Sequence, residues 1–151
     1  MKEIIVILDN VRSVLNVGAI LRTCDGAGVK KLYLVGITPD ITHKKIPKTA
    51  LGAEEYVESE HVKDIKPVLE QLKKEDYEII SIEQTSKSED YSKIKYNNKV
   101  CLIFGNEISG VSNEVLKLSD KTAELPMKGK KNSLNVSTTV GIVLYHIITT
   151  S

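Results

Sequence analysis

Runs of consecutive apolar residues alternate along the chain with segments in which apolar residues recur every three or four positions. Continuous apolar runs are typical of parallel strands that are covered on both faces. Such runs predict buried strands at 3–8 and 100–104. Further strands are expected at 31–35 and 77–82, with shorter ones near 56–58 and at 123–125. The segments 36–49 and 85–98 are rich in polar and turn-forming residues, and we expect loops there.

The helical spacing predicts a helix at 16–27 that ends at Gly28, and an amphipathic helix at 63–74 with Pro67 in its first turn. Shorter helices are expected at 49–52 and from the cap residue Ser112 to Leu118. Strands that alternate with helices predict an α/β fold, in which helices flank a mostly parallel sheet. With no repeat or linker in view, we expect one domain over 1–151.

The last segment, 136–150, carries two conflicting signals. It is rich in β-branched residues, which favour strands, but it is too long for an ordinary strand. We predict a helix capped by Asn135 or Ser137 and apolar on nearly every side. An exposed apolar helix would form a large patch, so we expect a homodimer with this helix in the interface. The interface residues expected are Val140, Val143, Leu144 and Ile147.

The composition excludes several classes of protein. At 151 residues, with 41% apolar and 27% charged residues, the chain has the make-up of an ordinary globular protein. It contains neither an apolar stretch of membrane-spanning length nor a signal peptide. Cys24 and Cys101 lie in apolar surroundings without metal-ligand spacing, so we expect buried thiols, no metal site and a cytoplasmic protein.

Charge points only weakly to a partner. The formal net charge is +1, which argues against a large nonspecific surface for nucleic acid. Two basic clusters nevertheless stand out, at 43–48 and 128–131. Each is either a solvated loop or a set of phosphate contacts, and the second lies next to Ser133, which favours a functional role there.

Three short motifs follow one another along the chain. They are Asn-Val-Gly-Ala-Ile-Leu-Arg at 16–22, Phe-Gly-Asn-Glu-Ile-Ser-Gly at 104–110 and Ser-Leu-Asn-Val-Ser at 133–137. In this order, each at the boundary of a predicted element, they resemble the motifs of the SpoU/TrmH family of the SPOUT superfamily. The resemblance extends from Ile4 to Ile148. It implies methylation of ribose 2′-hydroxyls of RNA with S-adenosylmethionine, a C-terminal trefoil knot, and a homodimer in which the Arg22 region completes the partner's site.

The resemblance also implies a cofactor site. Gly105 ends a predicted buried strand, where open α/β sheets bind ligands and where glycine permits close approach to the backbone. The chain has no Gly-x-Gly-x-x-Gly fingerprint, so the sequence does not support a conventional Rossmann nucleotide site. The remaining cofactor contacts that the resemblance implies are Leu125, Pro126, Met127, Ser133 and Leu134.

The catalytic residues implied by the resemblance are Arg22, Asn16, Glu107, Ser133 and Asn135. A guanidinium is not deprotonated in proteins, so we assign Arg22 to phosphate binding and charge stabilisation instead of proton abstraction. The alternative is a surface ion pair of Arg22 with Asp25 or Glu107. Glu107 either orients Arg22 or accepts backbone N–H groups. Asn135 either combines a cap role with a site role or is only a helix cap.

The substrate follows less directly. The chain starts at the first strand and ends soon after the last helix, so we expect a small structured RNA, most readily tRNA. Ribosomal RNA is the alternative substrate. A non-catalytic RNA-binding module of the same fold is a further alternative, which the presence of all five polar motif residues disfavours.

Overall fold

Seven strands form one sheet in the computed structural model, which describes residues 1–150. The order across the sheet is β3-β2-β1-β6-β4-β7-β5, and every pair of neighbours among these strands is parallel. The largely parallel α/β sheet expected from the sequence is therefore confirmed. The strands are β1 (Glu3–Asp9), β2 (Lys31–Val35), β3 (Ser59–Val62), β4 (Glu78–Ile82), β5 (Glu89–Asp90), β6 (Lys99–Gly105) and β7 (Lys121–Glu124).

Five α-helices connect or follow these strands, with a 3₁₀ turn at Ala53–Glu55. Among residues 1–150, no helix is both long and apolar enough to cross a bilayer. The helices are α1 (Val14–Ala27), α2 (Pro47–Ala50), α3 (Ile65–Lys74), α4 (Asn113–Leu118) and α5 (Val136–Thr150).

Helices cover both faces of the sheet and create two separate cores. Alternate residues of β1 point to opposite faces, so Leu8 joins the core under α1 and α5, and Ile7 joins the core under α3 and α4. Both cysteines are fully buried, Cys24 in the first core and Cys101 in the second. This double burial accounts for the continuous apolar runs in the central strands.

Several predicted boundaries are wrong where a partner distant in sequence decides them. Helix α1 begins at Val14 instead of residue 16, because Ser13 caps it and Glu107 binds the Ser13 amide. The helix expected at 49–52 begins two residues earlier, as α2 (Pro47–Ala50). The strand expected near 56–58 begins three residues later, as β3 (Ser59–Val62). β5 falls in a segment expected to be irregular, since it only pairs with the end of β7.

Helix α5 confirms the choice of helix over strand, but the four residues assigned to an interface on it are wrong. The four residues assigned to that interface have no exposed surface within a single chain. They recur at helical spacing on the face that packs against α1 and the sheet, so they belong to the first core. Tyr145, on another side of α5, is 44% exposed. The four residues that were assigned to the interface and are buried in the first core are Val140, Val143, Leu144 and Ile147.

We expect Leu144→Ala to lower the free energy of unfolding by about 2–5 kcal/mol, because it leaves a cavity in a closed core. Urea denaturation measures the loss. Thr138→Ala, at an exposed position of α5, is the control and should stay within about 0.5 kcal/mol of wild type. Loss of subunit assembly in Leu144→Ala without loss of stability would instead place Leu144 in an interface.

Candidate functional site

A cleft of about 560 Å³ opens at the carboxyl ends of the neighbouring strands β6, β4 and β7. Parallel strands bring these ends to one edge of the sheet, where α/β folds bind ligands. The volume lies within the range of about 300–1,000 Å³ for small-molecule sites. Ile82, Phe104 and Leu125 supply apolar surface where the strands end. Two loops form the walls: 105–111, called the first wall below, and 125–135, called the second wall.

The first wall folds tightly back on itself. Asn106 and Gly110 pair through two backbone hydrogen bonds, and the Asn106 side chain accepts the amides of Ile108 and Ser109. A Cβ on Gly105 would overlap the main chain of Gly110, so only glycine fits at the end of β6. The loop leaves Ile108 90% exposed at the cleft.

The second wall leads from β7 into α5 and contains the Ser-Leu-Asn motif. Asn135 caps α5, since its Oδ1 accepts the backbone N–H of Ser137 at 2.9 Å. It also lines the cleft, together with Ser133 and Leu134. Asn135 therefore has the cap role and also a position at the cleft.

Glu107 joins the first wall to the start of α1. Its Oε1 accepts the Arg12 amide at 2.8 Å, and its Oε2 accepts the Ser13 amide at 2.9 Å and the Asn16 side chain at 3.2 Å. Partial burial acts to raise the pKa of Glu107, but these hydrogen bonds outweigh it and hold the pKa below its ordinary value. Of the two roles considered for Glu107, the structure places it as an acceptor of backbone N–H groups.

The cleft gathers most of the residues predicted for the site. Pro126 is exposed beside it and does not line it. Asn16 is outside the cleft but is bound to Glu107. The predicted residues that line it are Gly105, Glu107, Leu125, Met127, Ser133, Leu134 and Asn135.

Arg22 lies apart from the cleft of its own chain. It is exposed on α1 and has no hydrogen bond or ion pair within residues 1–150. The alternative ion pairs with Asp25 and Glu107 are therefore absent from the described part of the chain. A free cation on an otherwise well-packed helix is available for a partner outside the chain.

Sequence reasoning missed Glu83 and Gln84, which line the cleft directly after β4. The available signal was their position, since they follow a buried strand at the edge where ligands bind. Within residues 1–150, no group of three or more His, Cys, Asp or Glu side chains is arranged to hold a metal ion.

We expect Glu107→Gln to destabilise the protein near neutral pH and to do so less at acid pH. The depressed pKa means that the stabilisation by Glu107 is fully present above the ordinary glutamate pKa of about 4.3 and is lost as the pH falls through the folded value. Urea titrations of both proteins across this range measure the difference. The control is Glu70→Gln on α3, at an exposed carboxylate without a hydrogen bond in the described chain. A constant difference at every pH would contradict the role given to Glu107.

The family model and the relatives that this chain matches both belong to RNA methyltransferases. The sequence model of the SpoU rRNA methylase family matches residues 3–145. The chain is 35% identical over 145 residues to the tRNA (guanosine(18)-2′-O)-methyltransferase of Aquifex aeolicus, an alignment that covers 95% of this chain and 68% of that protein.

Solved structures agree in fold. The A. aeolicus TrmH/SpoU tRNA modifying enzyme superposes with a TM-score of 0.88 at 33% identity, covering 99% of this chain and 75% of that one. The AdoMet-bound rRNA methyltransferase of Sinorhizobium meliloti gives 0.87 at 27% identity, covering 95% and 55%. The chain thus spans between about half and three quarters of these proteins. The cleft, the ordered motifs and these matches lead to one conclusion: this chain belongs to the SpoU methylase family.

Proposed function

We propose that this protein transfers the methyl group of S-adenosylmethionine to a ribose 2′-hydroxyl of RNA, with tRNA as the favoured substrate. The observation that carries the proposal is the convergence of two motif segments, at 104–110 and 133–137, on one cleft at the carboxyl edge of the sheet. The relatives' names support it, since one is a tRNA 2′-O-methyltransferase and another an AdoMet-bound rRNA methyltransferase.

The cleft fits the proposed cofactor in size and lining. Apolar side chains at the strand ends offer a surface for a flat base, and the exposed main chain of the two walls offers polar contacts. Gly105 lines the cleft at the end of β6. Met127 and Leu134 add apolar surface from the second wall. When bound, S-adenosylmethionine supplies a methyl group on a positively charged sulfur.

The residues around the cleft would position the second substrate. Glu107 occupies the amide nitrogen of Asn16, which leaves the Asn16 carboxamide oxygen available as an acceptor. The Ser133 hydroxyl is exposed at the cleft and has no partner within residues 1–150. Both groups suit the hydroxyls and phosphates of a ribose chain. Methyl transfer is an in-line displacement, so correct placement of the attacking oxygen is a major part of catalysis.

We propose that Arg22 binds an RNA phosphate and stabilises the negative charge that develops on the attacking 2′-oxygen. In the proposed step the 2′-oxygen would form a bond to the methyl carbon while the carbon–sulfur bond breaks and its electron pair stays on sulfur, which gives S-adenosylhomocysteine. The hydroxyl proton would pass to a substrate phosphate or to water, so negative charge would build up on the oxygen as it attacks. A guanidinium stabilises that charge and binds phosphate through a planar pair of donors. Because Arg22 lies apart from its own cleft, we propose that it serves the cleft of a partner subunit.

The position of the cations near the carboxyl edge of the sheet supports an RNA substrate, although exposed lysines elsewhere, such as Lys63, Lys66 and Lys73, have no ion pair in the described chain either. The ion pairs recorded within residues 1–150 involve Lys30, Lys31 and Lys121, all at the amino edge of the sheet. At the carboxyl edge, exposed cations have no such partner in the described chain. An edge with unpaired cations attracts phosphates. These unpaired cations are Arg12, Lys44, Lys45, Lys48, Lys130 and Lys131.

Assembly and location complete the proposal. We infer a homodimer through a surface other than the buried face of α5, and a trefoil knot formed by the segment that ends in α5, both as the family resemblance implies. A single catalytic domain over 1–151 is proposed on the same ground. Cys24 and Cys101 are free and buried, which supports a reducing compartment and therefore the cytoplasm.

We expect Arg22→Ala to slow methyl transfer to RNA about 100- to 1,000-fold while leaving the affinity for S-adenosylhomocysteine nearly unchanged. Arg22→Lys should recover little, because lysine lacks the planar fork. The assay follows labelled methyl from the cofactor into bulk tRNA and, separately, into ribosomal RNA.

The control is Asp25→Asn, at an exposed residue three positions after Arg22 on the same helix, and it should retain turnover. A 2′-deoxy nucleotide at the target should accept no methyl. Absence of transfer from wild-type protein to either RNA would overturn the proposed function. Near-normal turnover in Arg22→Ala would overturn only the role of Arg22.

Replacing Lys44, Lys45 and Lys48 together by alanine should weaken RNA binding and reduce its log–log salt slope by about 2–3. These lysines flank or lie in α2, which is held to the first turn of α1 by the Thr49 hydroxyl on the Leu15 carbonyl, at 2.9 Å. Filter binding at several salt concentrations measures the slope.

The matched control replaces Lys63, Lys66 and Lys73 by alanine. These lysines are exposed on or beside α3, and replacing them removes the same charge. It should bind RNA almost as wild type does. Equal losses in the two triple variants would mean that only net charge matters and that the α2 region has no special role.

A further inference from the structure

The two residues that follow β4 reach opposite walls of the cleft. The Glu83 carboxylate accepts the Val111 amide of the first wall at 2.8 Å. The Gln84 side-chain amide donates to the Asn132 carbonyl of the second wall. Consecutive side chains thus connect both walls to one point at the end of a central strand.

That point is itself firmly held. The Glu83 amide donates to the Ala123 carbonyl at 2.9 Å, which continues the pairing of β4 with β7. The Glu83 carbonyl accepts the Ser88 hydroxyl at 2.7 Å. Both side chains therefore extend from a main chain that is bonded on two sides.

The second wall depends on this connection more than the first wall does. The first wall has its own backbone pairing between Asn106 and Gly110. Between Pro126 and Leu134, by contrast, the contact with Gln84 is the one hydrogen bond recorded within residues 1–150. This stretch has neither helix nor strand, and every residue in it except Met127 is exposed.

We propose that Gln84 is a positioning residue that holds the 126–134 stretch in its binding geometry and thereby sets the affinity for the cofactor. A loop already held in place loses less conformational freedom when a ligand binds, so the ligand binds more tightly. Glu83 plays the same part for the first wall, where a side chain on Gly110 would overlap its carboxylate. The identity of the ligand rests on the proposed function, whereas the tether itself does not.

The stretch carries its own reporter of looseness, because Lys128, Lys130 and Lys131 are exposed sites for trypsin. Gln84→Met keeps the length of the side chain and removes its donor. Ser86→Met places the same side chain two positions later, at an exposed residue without a recorded side-chain bond, and is the control. Tryptic cleavage of the ligand-free protein and calorimetry with S-adenosylhomocysteine are measured for both variants, with thermal midpoints as a check on folding.

We expect Gln84→Met to be cleaved at these lysines about two- to tenfold faster than wild type, and to bind S-adenosylhomocysteine about two- to tenfold more weakly, as for the loss of one ordinary hydrogen bond. Ser86→Met should match wild type in both. Unchanged cleavage in Gln84→Met would overturn the tether. Faster cleavage with unchanged affinity would overturn its link to the cofactor. Faster cleavage in a protein whose wild type binds no S-adenosylhomocysteine would keep the tether and count against the proposed function.

Discussion

The carboxylate of Glu107 accepts two backbone amides and one side-chain amide from the segment that starts α1, and the candidate site depends on this contact. It joins the loop after β6 to the loop after β1, two neighbouring strands. The Ser13 amide, at the cap position of α1, is a donor that a helix start would otherwise leave without a partner. One ionised side chain therefore holds the segment before α1, the Asn16 side chain and the first wall of the cleft in fixed positions relative to one another.

The central strands were predictable because their environment is uniform. β1, β2, β4 and β6 are covered on both faces, so apolar residues dominate each of them, and the predicted ends lie within one residue of those in the structure. The predictions fail where local sequence does not decide the outcome. β3 and β5 are short edge strands defined by pairing. Helix α1 begins after the Ser13 cap, whose own amide is bound by a residue more than ninety positions away.

The candidate site divides in the same way. The glycine at the end of β6 and the Ser-Leu-Asn segment were found from motifs, and they do border one cleft. The role of Gln84 was invisible in the sequence, because a polar residue after a strand gives no indication of which carbonyl it will meet. The burial of α5 was misjudged for a related reason. A helix that is apolar on most sides can satisfy its largest face within its own chain, and only the structure shows which face that is.

The two cysteines allow the opening of the two cores, one on each face of the sheet, to be measured separately. Burial raises the pKa of each thiol, so both stay protonated and unreactive while the fold is closed. Cys24 belongs to the core under α1 and α5, and Cys101 belongs to the core under α3 and α4. An alkylating reagent can therefore label each one only during an opening of its own side of the sheet. The alkylation rate of each cysteine therefore reports how often its own core opens. Comparing the two rates would reveal whether the two sides of the sheet open together or independently.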